Sequence, residues 1–587
     1  YSYVREQDPE IEIGSFVTAG TDTNFIVQGM ELGAYPYSTA IVFHPYIYPD
    51  LPANNGLLKN TLNKVDKIVM NYGGWRDTAV TEIGWPTQYG GNSQEEQARA
   101  IIQNFVIGDD VGLRYNFAYD LKNDGTSVLD GEHQFGIYEH NMTPKKAYAA
   151  VSAYNCELEG ALFHGSIDLG FGDKNSTYIY SKEKNPVIIS WMNSGEGEYD
   201  FGSGAIVKDM YGNVISNDGK TVIGLDPIYV TNVSDDWFRK SAEQNVTDKQ
   251  NDWLKQYGGY FSAANVKKIS KIFNDGASKL KNGAVDAESL RLCIDECFSA
   301  GELVKAEFRS GKMDNEKMST VLFAIYKIAE RYASYMMILG DATESFVADA
   351  EKAYENSESL ANESHKKDGY TLIYTDNILR YAKRHIEDAK KVIEEKENPA
   401  KAGIISAWSY LGLKLCSWYD SLYTEEDASN LMINMLLDKS QKKVYYGENK
   451  EFSLNVANFG KKDIKAKIEL YDQNNNLLGT GDESVIKAEG NVDMSVQGCI
   501  VRDGFDKNKT LIFKLIEDGK VIKTESYSIM VEDLVEVNLN SARKPISELN
   551  EISFTLKNPF QTNNTVRVEF SCPYIQFTSN EFRSTVP

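Results

Sequence analysis

Cysteine and proline are scarce in this chain, which has 6 Cys and 14 Pro in 587 residues. The cysteines are scattered, so a scaffold built from disulfides is not expected, and no Cys/His cluster has the spacing of a zinc site. Cys293 and Cys297 lie four residues apart in a predicted helix and therefore share a face. This spacing allows either a disulfide or two buried thiols, and it favours the thiols.

Long apolar runs and an excess of positive charge are also missing. No run approaches the ~20 residues that a membrane-spanning helix needs, so no membrane span is predicted in this segment. The net charge of −23 argues against nucleic acid as a partner, because phosphate binding needs a basic surface. No motif indicates a metal or another cofactor.

The length predicts a multidomain protein, since 587 residues exceed what one hydrophobic core supports. The chain opens at Tyr1 within a predicted helix and stops at Pro587 just after a strand-like run. We therefore expect it to be a piece of a longer protein.

Residues 1–155 alternate strand and helix. Gly56–Asn71 has apolar residues at helical spacing, and Ser93 with Glu96 forms a capping box at the start of another helix. The predicted strands are Ile11–Phe16, Ala40–His44, Ala79–Ile83 and Leu113–Tyr119. Repeated βα units predict a parallel sheet with helices outside it.

The rest of the chain changes character three times. Residues 156–235 alternate short β runs with turn signals, which predicts an antiparallel β-sandwich. Residues 236–440 have helical spacing throughout and indicate an α-helical bundle or array. Residues 441–533 predict an immunoglobulin-like β-sandwich, and 534–587 the start of a further, incomplete one.

The segment from Asp77 to Thr87 carries the clearest functional signal. It predicts a short strand that places the carboxylate of Glu82 at its C-terminal tip, followed at once by Trp85 and Pro86. A rigidly mounted carboxylate beside an aromatic ring suits chemistry on a sugar. The alternative is a strand-end Glu in a surface ion pair.

Four segments in order resemble the C-terminal half of a (β/α)8 barrel from the clan of retaining glycoside hydrolases that includes cellulase-like and β-xylosidase-like enzymes. They are Phe43-His44-Pro45-Tyr46, Thr81-Glu82-Ile83-Gly84-Trp85, Tyr115-Asn116-Phe117-Ala118-Tyr119-Asp120, and a closing pattern of Phe135-Gly136-Ile137 followed by Thr143-Pro144-Lys145-Lys146-Ala147-Tyr148. The resemblance covers about the first 230 residues. It implies that the four strands are the fifth to eighth of a barrel, with active residues at their C-terminal ends.

The resemblance makes Glu82 the catalytic nucleophile. It places His44, Tyr46, Trp85, Tyr119 and Asp120 in the substrate site. Two alternatives remain: His44 as a buried residue satisfied by backbone, and Trp85 as a cap on the core. Tyr119 and Asp120 stand where many relatives have a Trp against the sugar, so the Tyr departs from the family pattern. The acid/base of the clan follows an Asn on the fourth strand, which would lie upstream of Tyr1.

These observations predict an extracellular or cell-surface retaining glycoside hydrolase acting on a polysaccharide or oligosaccharide. The missing half of the barrel would come from upstream sequence or another chain. The alternative is a surface structural, adhesive or assembly protein with a catalytically inactive hydrolase-like barrel.

Overall fold

The computed structural model describes residues 1–587 except for 9–10, 33, 35–36, 284, 311, 314, 340–344, 366–375, 395–400, 424–432, 438–440, 442, 459–461, 489, 502–506, 534, 540–551, 557–563, 570–580 and 587. Contacts divide the chain into two units, Tyr1–Met432 and Ile433–Pro587. Each unit is described by itself.

The first unit begins with alternating helices and strands. In order they are α1 (Ser2–Gln7), β1 (Gly14–Ser15), α2 (Thr23–Glu31), β2 (Ala40–Phe43), α3 (Leu57–Asn71), β3 (Asp77–Ile83), α4 (Gln94–Val111), β4 (Tyr115–Ala118) and α5 (Lys146–Leu158). The strands form one sheet in the order β1-β2-β3-β4, and every pairing is parallel. The predicted parallel βα arrangement is confirmed, although β1 is shorter than the predicted strand.

Local sequence signals explain two of these helices. The side chain of Ser93 accepts from the amide of Glu96, and the side chain of Glu96 accepts from the amide of Ser93, so the predicted capping box is present. Helix α3 buries Leu58, Leu62 and Val65 on one face. That face joins β2 and β3 in a shared hydrophobic core.

The described sheet has two free edges. Strands β1 and β4 are its outer strands, and β4 leaves the rings of Tyr115 and Phe117 43% and 54% exposed. Among the described residues these four strands form an open sheet. The parallel sheet is therefore confirmed, and the barrel stays a prediction.

An antiparallel β region follows, as predicted. Its strands are β5 (Leu162–Ser166), β6 (Asn175–Lys182), β7 (Asn185–Met192), β8 (Gly197–Asp200), β9 (Ile206–Lys208), β10 (Val214–Ser216), β11 (Lys220–Ile223) and β12 (Ile228–Thr231). They form a six-stranded sheet, β10-β9-β12-β7-β6-β5, and a pair, β11-β8. All of these pairings are antiparallel.

Long helices complete the first unit, in agreement with the predicted helical region. They are α6 (Asp236–Tyr257), α7 (Ala263–Lys281), α8 (Ala287–Arg309), α9 (Asn315–Leu339), α10 (Ser345–His365), α11 (Asp376–Glu394) and α12 (Lys401–Tyr423). Cys293 and Cys297 share a buried face of α8 as free thiols. Across the described helices, apolar stretches fall short of what a bilayer crossing requires.

Side chains and backbone of the helical region bind the N-terminal end of β3 through ion pairs and hydrogen bonds. Asp77, the first residue of that strand, pairs with Arg384 of α11 and with Arg114, whose Nη1 lies 2.8 Å from its Oδ2. Tyr381 donates to the other oxygen of Asp77 at 3.3 Å. The indole of Trp75 donates to the carbonyl of Ser319 in α9 at 3.1 Å. The strand that carries Glu82 is thus anchored at its opposite end.

The second unit is all β. Its strands are β13 (Ile433–Leu437), β14 (Lys443–Tyr445), β15 (Asn449–Asn458), β16 (Ile464–Tyr471), β17 (Leu477–Thr480), β18 (Ser484–Ile486), β19 (Gly490–Cys499), β20 (Asn508–Glu517) and β21 (Lys520–Glu532). They form the sheets β13-β15-β19 and β14-β21-β20-β16-β17, with β18 paired to β16. One core lies between alternating side chains of these strands. Strand β13 precedes the boundary predicted at 441 and pairs with β15.

The end of the chain contains two antiparallel strand pairs. They are β22 (Val535–Leu539) with β23 (Ile552–Leu556), and β24 (Asn564–Glu569) with β25 (Glu581–Val586). Much of the further sandwich predicted for 534–587 lies outside the described residues. The immunoglobulin-like character of both regions remains a prediction.

Candidate active site

Glu82 lies one residue before the end of β3, between β2 and β4 in the parallel sheet. The carboxyl ends of parallel strands meet at one edge, so side chains that follow β2, β3 and β4 converge there. The Glu82 side chain is 35% exposed. Its carboxylate is therefore anchored on a rigid strand and still accessible.

Two residues that follow β2 contact this carboxylate. The hydroxyl of Tyr46 donates a hydrogen bond to Oε1 of Glu82. Nδ1 of His44 lies 3.6 Å from Oε2, and its Nε2 is 3.0 Å from the hydroxyl of Thr81. Burial, and then the hydrogen bond to Glu82, raise the pKa of Tyr46 far above its usual range, so Tyr46 is a permanent donor. The structure brings together three residues that the sequence assigned to the site.

The predicted site residues Tyr119 and Asp120 follow β4 at the same edge, where the amide of Tyr119 donates to the carbonyl of Ile83 at 2.7 Å. Burial, followed by the charge of Asp124, raises the pKa of Asp120 to about 6. Its Oδ1 is buried without a hydrogen-bond partner among the described residues. A carboxyl group with an unmatched buried oxygen is suited to a polar ligand.

Trp85 has a different environment. Its ring is fully buried in the core, and its indole N–H donates to the carbonyl of Asp50 at 2.9 Å. A ring without an exposed face cannot stack on a sugar in this structure. Of the two roles that the sequence left open for Trp85, the geometry fits the core cap.

Phe135 was not among the predicted site residues, yet it packs against three aromatic rings there. Its ring centroid lies 5.9 Å from that of Tyr46, 5.4 Å from Tyr48 and 5.3 Å from Tyr119. These edge contacts fix the orientation of the Tyr46 ring. Phe135 is distant in sequence from the strand tips, so only the fold reveals this contact.

Two buried polar side chains hold the segments around the site. The amide of Gln97 donates to the carbonyls of Trp85 and Phe135, both at 2.9 Å. The ammonium of Lys145 is buried below the same segments. Lys145 is the N-cap residue that immediately precedes α5, where a cation opposes the helix dipole. That unfavourable placement was a sequence signal for a special role.

The described residues include no group of three or more His, Cys, Asp or Glu side chains arranged to hold a metal ion. What the site offers is a strand-end carboxylate, a fixed hydroxyl donor, an imidazole and an aromatic wall. This set can perform nucleophilic or acid–base chemistry on an uncharged polar ligand.

Comparisons with known proteins found similar chains among solved structures. No family model matches the chain, and no curated protein matches it. Among solved structures, a family 39 glycoside hydrolase from the gut symbiont Bacteroides cellulosilyticus WH2 aligns with 18% identity and a TM-score of 0.34, over 40% of this chain and 53% of that one. The alignment thus spans about half the length of that hydrolase.

A second solved structure is the Pseudomonas fluorescens alkylpurine DNA glycosylase AlkC bound to DNA containing an abasic site analog. It aligns with 11% identity and a TM-score of 0.13, over 49% of this chain and 97% of that one. Both scores are too low to establish a shared fold, so nothing about activity follows from either match.

Proposed function

We propose that this chain is part of an extracellular or cell-surface retaining glycoside hydrolase that acts on a polysaccharide or oligosaccharide. In this proposal the chain supplies the catalytic nucleophile, Glu82. The observation that carries the proposal is the hydrogen bond from Tyr46 to Glu82 at a strand end. It orients a solvent-accessible carboxylate without neutralising it, which is what a nucleophile requires.

In the proposed reaction a carboxylate oxygen of Glu82 attacks the anomeric carbon and forms a glycosyl ester. A second carboxylic acid protonates the leaving oxygen and then, as a carboxylate, activates the water that cleaves the ester. Retaining enzymes hold these two groups about 5–5.5 Å apart. We propose that the second group belongs to the missing barrel half, from sequence preceding Tyr1 or from another chain.

The remaining predicted residues have roles in binding. Tyr119 and Asp120 border the same edge as Glu82, and the orphaned oxygen of Asp120 is suited to accept from a sugar hydroxyl. His44 lies within 3.6 Å of Glu82 and borders the position of the reacting sugar. The exposed rings of Tyr115 and Phe117 on the outer strand β4 support the completion of this sheet by further strands.

The test is covalent trapping. The longest natural form of the protein is incubated with activated 2-deoxy-2-fluoro aryl glycosides, which slow the hydrolysis of the glycosyl ester, and its peptides are analysed by mass spectrometry. The expected result is one sugar on the peptide that contains Glu82 and none in Glu82→Gln. Glu196→Gln, an exposed change in the β region, is the matched control and should label normally.

A second function has one observation in its favour. Among the described residues, the side chains that contact Glu82 are Tyr46 and His44, and neither is a carboxylic acid. A surface structural or adhesive protein that retains the sheet as a binding module needs no such acid. It predicts carbohydrate binding that Glu82→Gln preserves, with no labelling and no turnover in the wild type.

A further inference from the structure

Lys145 is a lysine buried to 2% exposure at the start of α5. Its ammonium donates to the hydroxyl of Thr87 at 3.0 Å, to Oδ1 of Asn123 at 2.8 Å and to the carbonyl of Gln134 at 3.0 Å. An ammonium has three N–H donors, so each donor has an acceptor. Burying a charge is costly unless it is matched in this way.

The three acceptors lie on two different segments of the site. Thr87 follows β3, five residues after Glu82, whereas Asn123 and Gln134 follow β4 and Asp120. The amide of Thr87 also donates to the carbonyl of Gln134 at 3.1 Å. Lys145 therefore connects the segment after the proposed nucleophile to the segment that carries the opposite wall.

A chain of contacts leads from Lys145 to Glu82. Gln134, whose carbonyl Lys145 holds, precedes Phe135. The ring of Phe135 packs edge-on against Tyr46 at 5.9 Å, and Tyr46 donates to Glu82. The Lys145 ammonium donates to Thr87, Asn123 and Gln134 and not to Tyr46 or Glu82. Its route to the carboxylate by contact therefore runs through Phe135 and Tyr46.

We propose that Lys145 is a positioning residue that joins the segments after β3 and β4 and thereby holds Phe135 and Tyr46 in place against Glu82. Only a tetrahedral ammonium presents three donors to these three acceptors. An apolar side chain leaves the acceptors unmatched, and the planar guanidinium of arginine points its donors elsewhere.

The protonation of Lys145 offers a way to test this role, because its ammonium is buried close to charged groups. Burial lowers its pKa to about 8, while Glu139 and Asp120 act in the opposite sense. Glu139 accepts from Asn123 at 2.9 Å, and Nδ1 of His140 lies 3.0 Å from the carbonyl of Asn123. Above that pH a neutral amine has one donor fewer, so the connection between the two segments weakens.

The experiment is amide hydrogen exchange on the full chain, corrected for intrinsic rates, at pH 7 and pH 9.5. In Lys145→Met we expect exchange in 120–138 to be about tenfold faster at pH 7, as for the loss of one to two buried hydrogen bonds, with β6 and β7 unchanged. In the wild type, exchange in 120–138 should increase at pH 9.5, and this increase should be absent in Lys145→Met. Lys146→Met, which removes an exposed pair with Glu95, is the control and should match the wild type.

Two results would overturn the inference. One is unchanged exchange in 120–138, and the other is faster exchange throughout the unit, which would indicate a purely structural role. If Lys145→Met does not fold, Thr87→Val removes one acceptor and should raise exchange in 120–138 by about threefold. Exchange equal to that of the wild type in Thr87→Val would likewise exclude the role.

A second test measures kcat on a glycoside, and it depends on the proposed function. If Lys145 acts through Tyr46, the losses of kcat in Lys145→Met and Tyr46→Phe should not add in the double variant, and additive losses contradict this route. If the wild type hydrolyses no glycoside, the proposed function fails while the exchange results still decide the role of Lys145.

Discussion

The hydroxyl of Tyr46 donates a hydrogen bond to Oε1 of Glu82, across the C-terminal edge of two adjacent parallel strands. Thirty-six positions separate the two residues in the sequence. The contact exists because β2 and β3 pair in register and end at the same edge.

Tyr46→Phe removes the donor and retains the ring. Because hydrogen bonds to charged groups contribute about 1.5–3 kcal/mol, kcat on an aryl glycoside should fall about 10–100-fold with a smaller change in KM. Tyr48→Phe is the matched control, since its ring packs on the same Phe135 at 5.4 Å. A kcat for Tyr46→Phe equal to that of Tyr48→Phe would show that the hydrogen bond has no part in turnover.

Gly84 lies between Glu82 and Trp85, where the chain passes very close to the segment after β4. A Cβ at this position would lie 1.9 Å from the carbonyl oxygen of Tyr119 and 2.8 Å from Cδ1 of Phe135. Gly84→Ala should therefore destabilise the first unit by about 1–3 kcal/mol. It should also displace Tyr119. Thermal unfolding measures the effect, and Gly20→Ala, which meets nothing within 4 Å, should unfold as the wild type does.

Asp77 anchors the opposite end of β3. Although burial opposes its charged form, Arg384 and Arg114 lower its pKa. A lowered carboxyl pKa stabilises the folded state above the unfolded pKa of about 4, and this contribution is lost as the pH falls below it. Asp77→Asn should cost about 3 kcal/mol at pH 7, because it removes the carboxylate from the buried side of both Arg384 and Arg114 and leaves Arg114 paired with Glu12 alone.

The measurement for Asp77 is the melting temperature of wild type and Asp77→Asn between pH 3 and pH 7. The two melting curves should converge at the acidic end. A difference that stays constant over this range would mean that the charge of Asp77 does not stabilise the fold. Glu196→Gln changes an exposed carboxylate and serves as the comparison, with melting temperatures expected to match those of the wild type over this range.

The pKa of Asp109, in α4, is shifted in the opposite direction to that of Asp77. Burial raises its pKa to about 6, although a hydrogen bond from Tyr180 at 2.7 Å opposes the shift. A raised carboxyl pKa means that the folded state holds the proton more tightly, so stability falls as the pH rises from about 4 through 6.

Asp109→Asn keeps the shape and removes the charge. After allowance for its partial exposure, the variant should be about 1–2 kcal/mol more stable than the wild type at pH 7 and equal to it near pH 4. Chemical denaturation at the two pH values measures both. Lower stability of Asp109→Asn at pH 7 would contradict the prediction and indicate that the ionised carboxylate is favoured there.

Periodicity identified the elements because each signal is local. The spacing of Leu58, Leu62 and Val65 places apolar side chains on one face of a helix, and this pattern can be read without knowing the tertiary contacts. Ser93 and Glu96 cap α4 through backbone amides within three residues of each other. The alternation of these helices with apolar strands predicted the parallel sheet, which the structure confirms. Strand β1 was overestimated, because Ile11 and Ile13 continue the apolar pattern outside the paired residues.

The site was only partly accessible from sequence. The resemblance to a hydrolase barrel assigned Glu82, His44 and Tyr46 to the site, and the structure brings these three residues together. It did not identify Phe135 or Lys145, and it left the role of Trp85 open. Phe135 and Lys145 meet the site through a long segment after β4, and such contacts depend on how that segment folds back.

The sequence alone determined which segments are helix or strand and that a carboxylate stands at the tip of β3, because backbone periodicity and capping act within a few residues. Only the tertiary structure decided what surrounds that carboxylate. Tyr46 reaches Glu82 through parallel strand pairing, and Lys145 is buried because Thr87, Asn123 and Gln134 converge on it. A buried charge is tolerated only where distant groups supply its hydrogen bonds, and their convergence is a property of the folded chain.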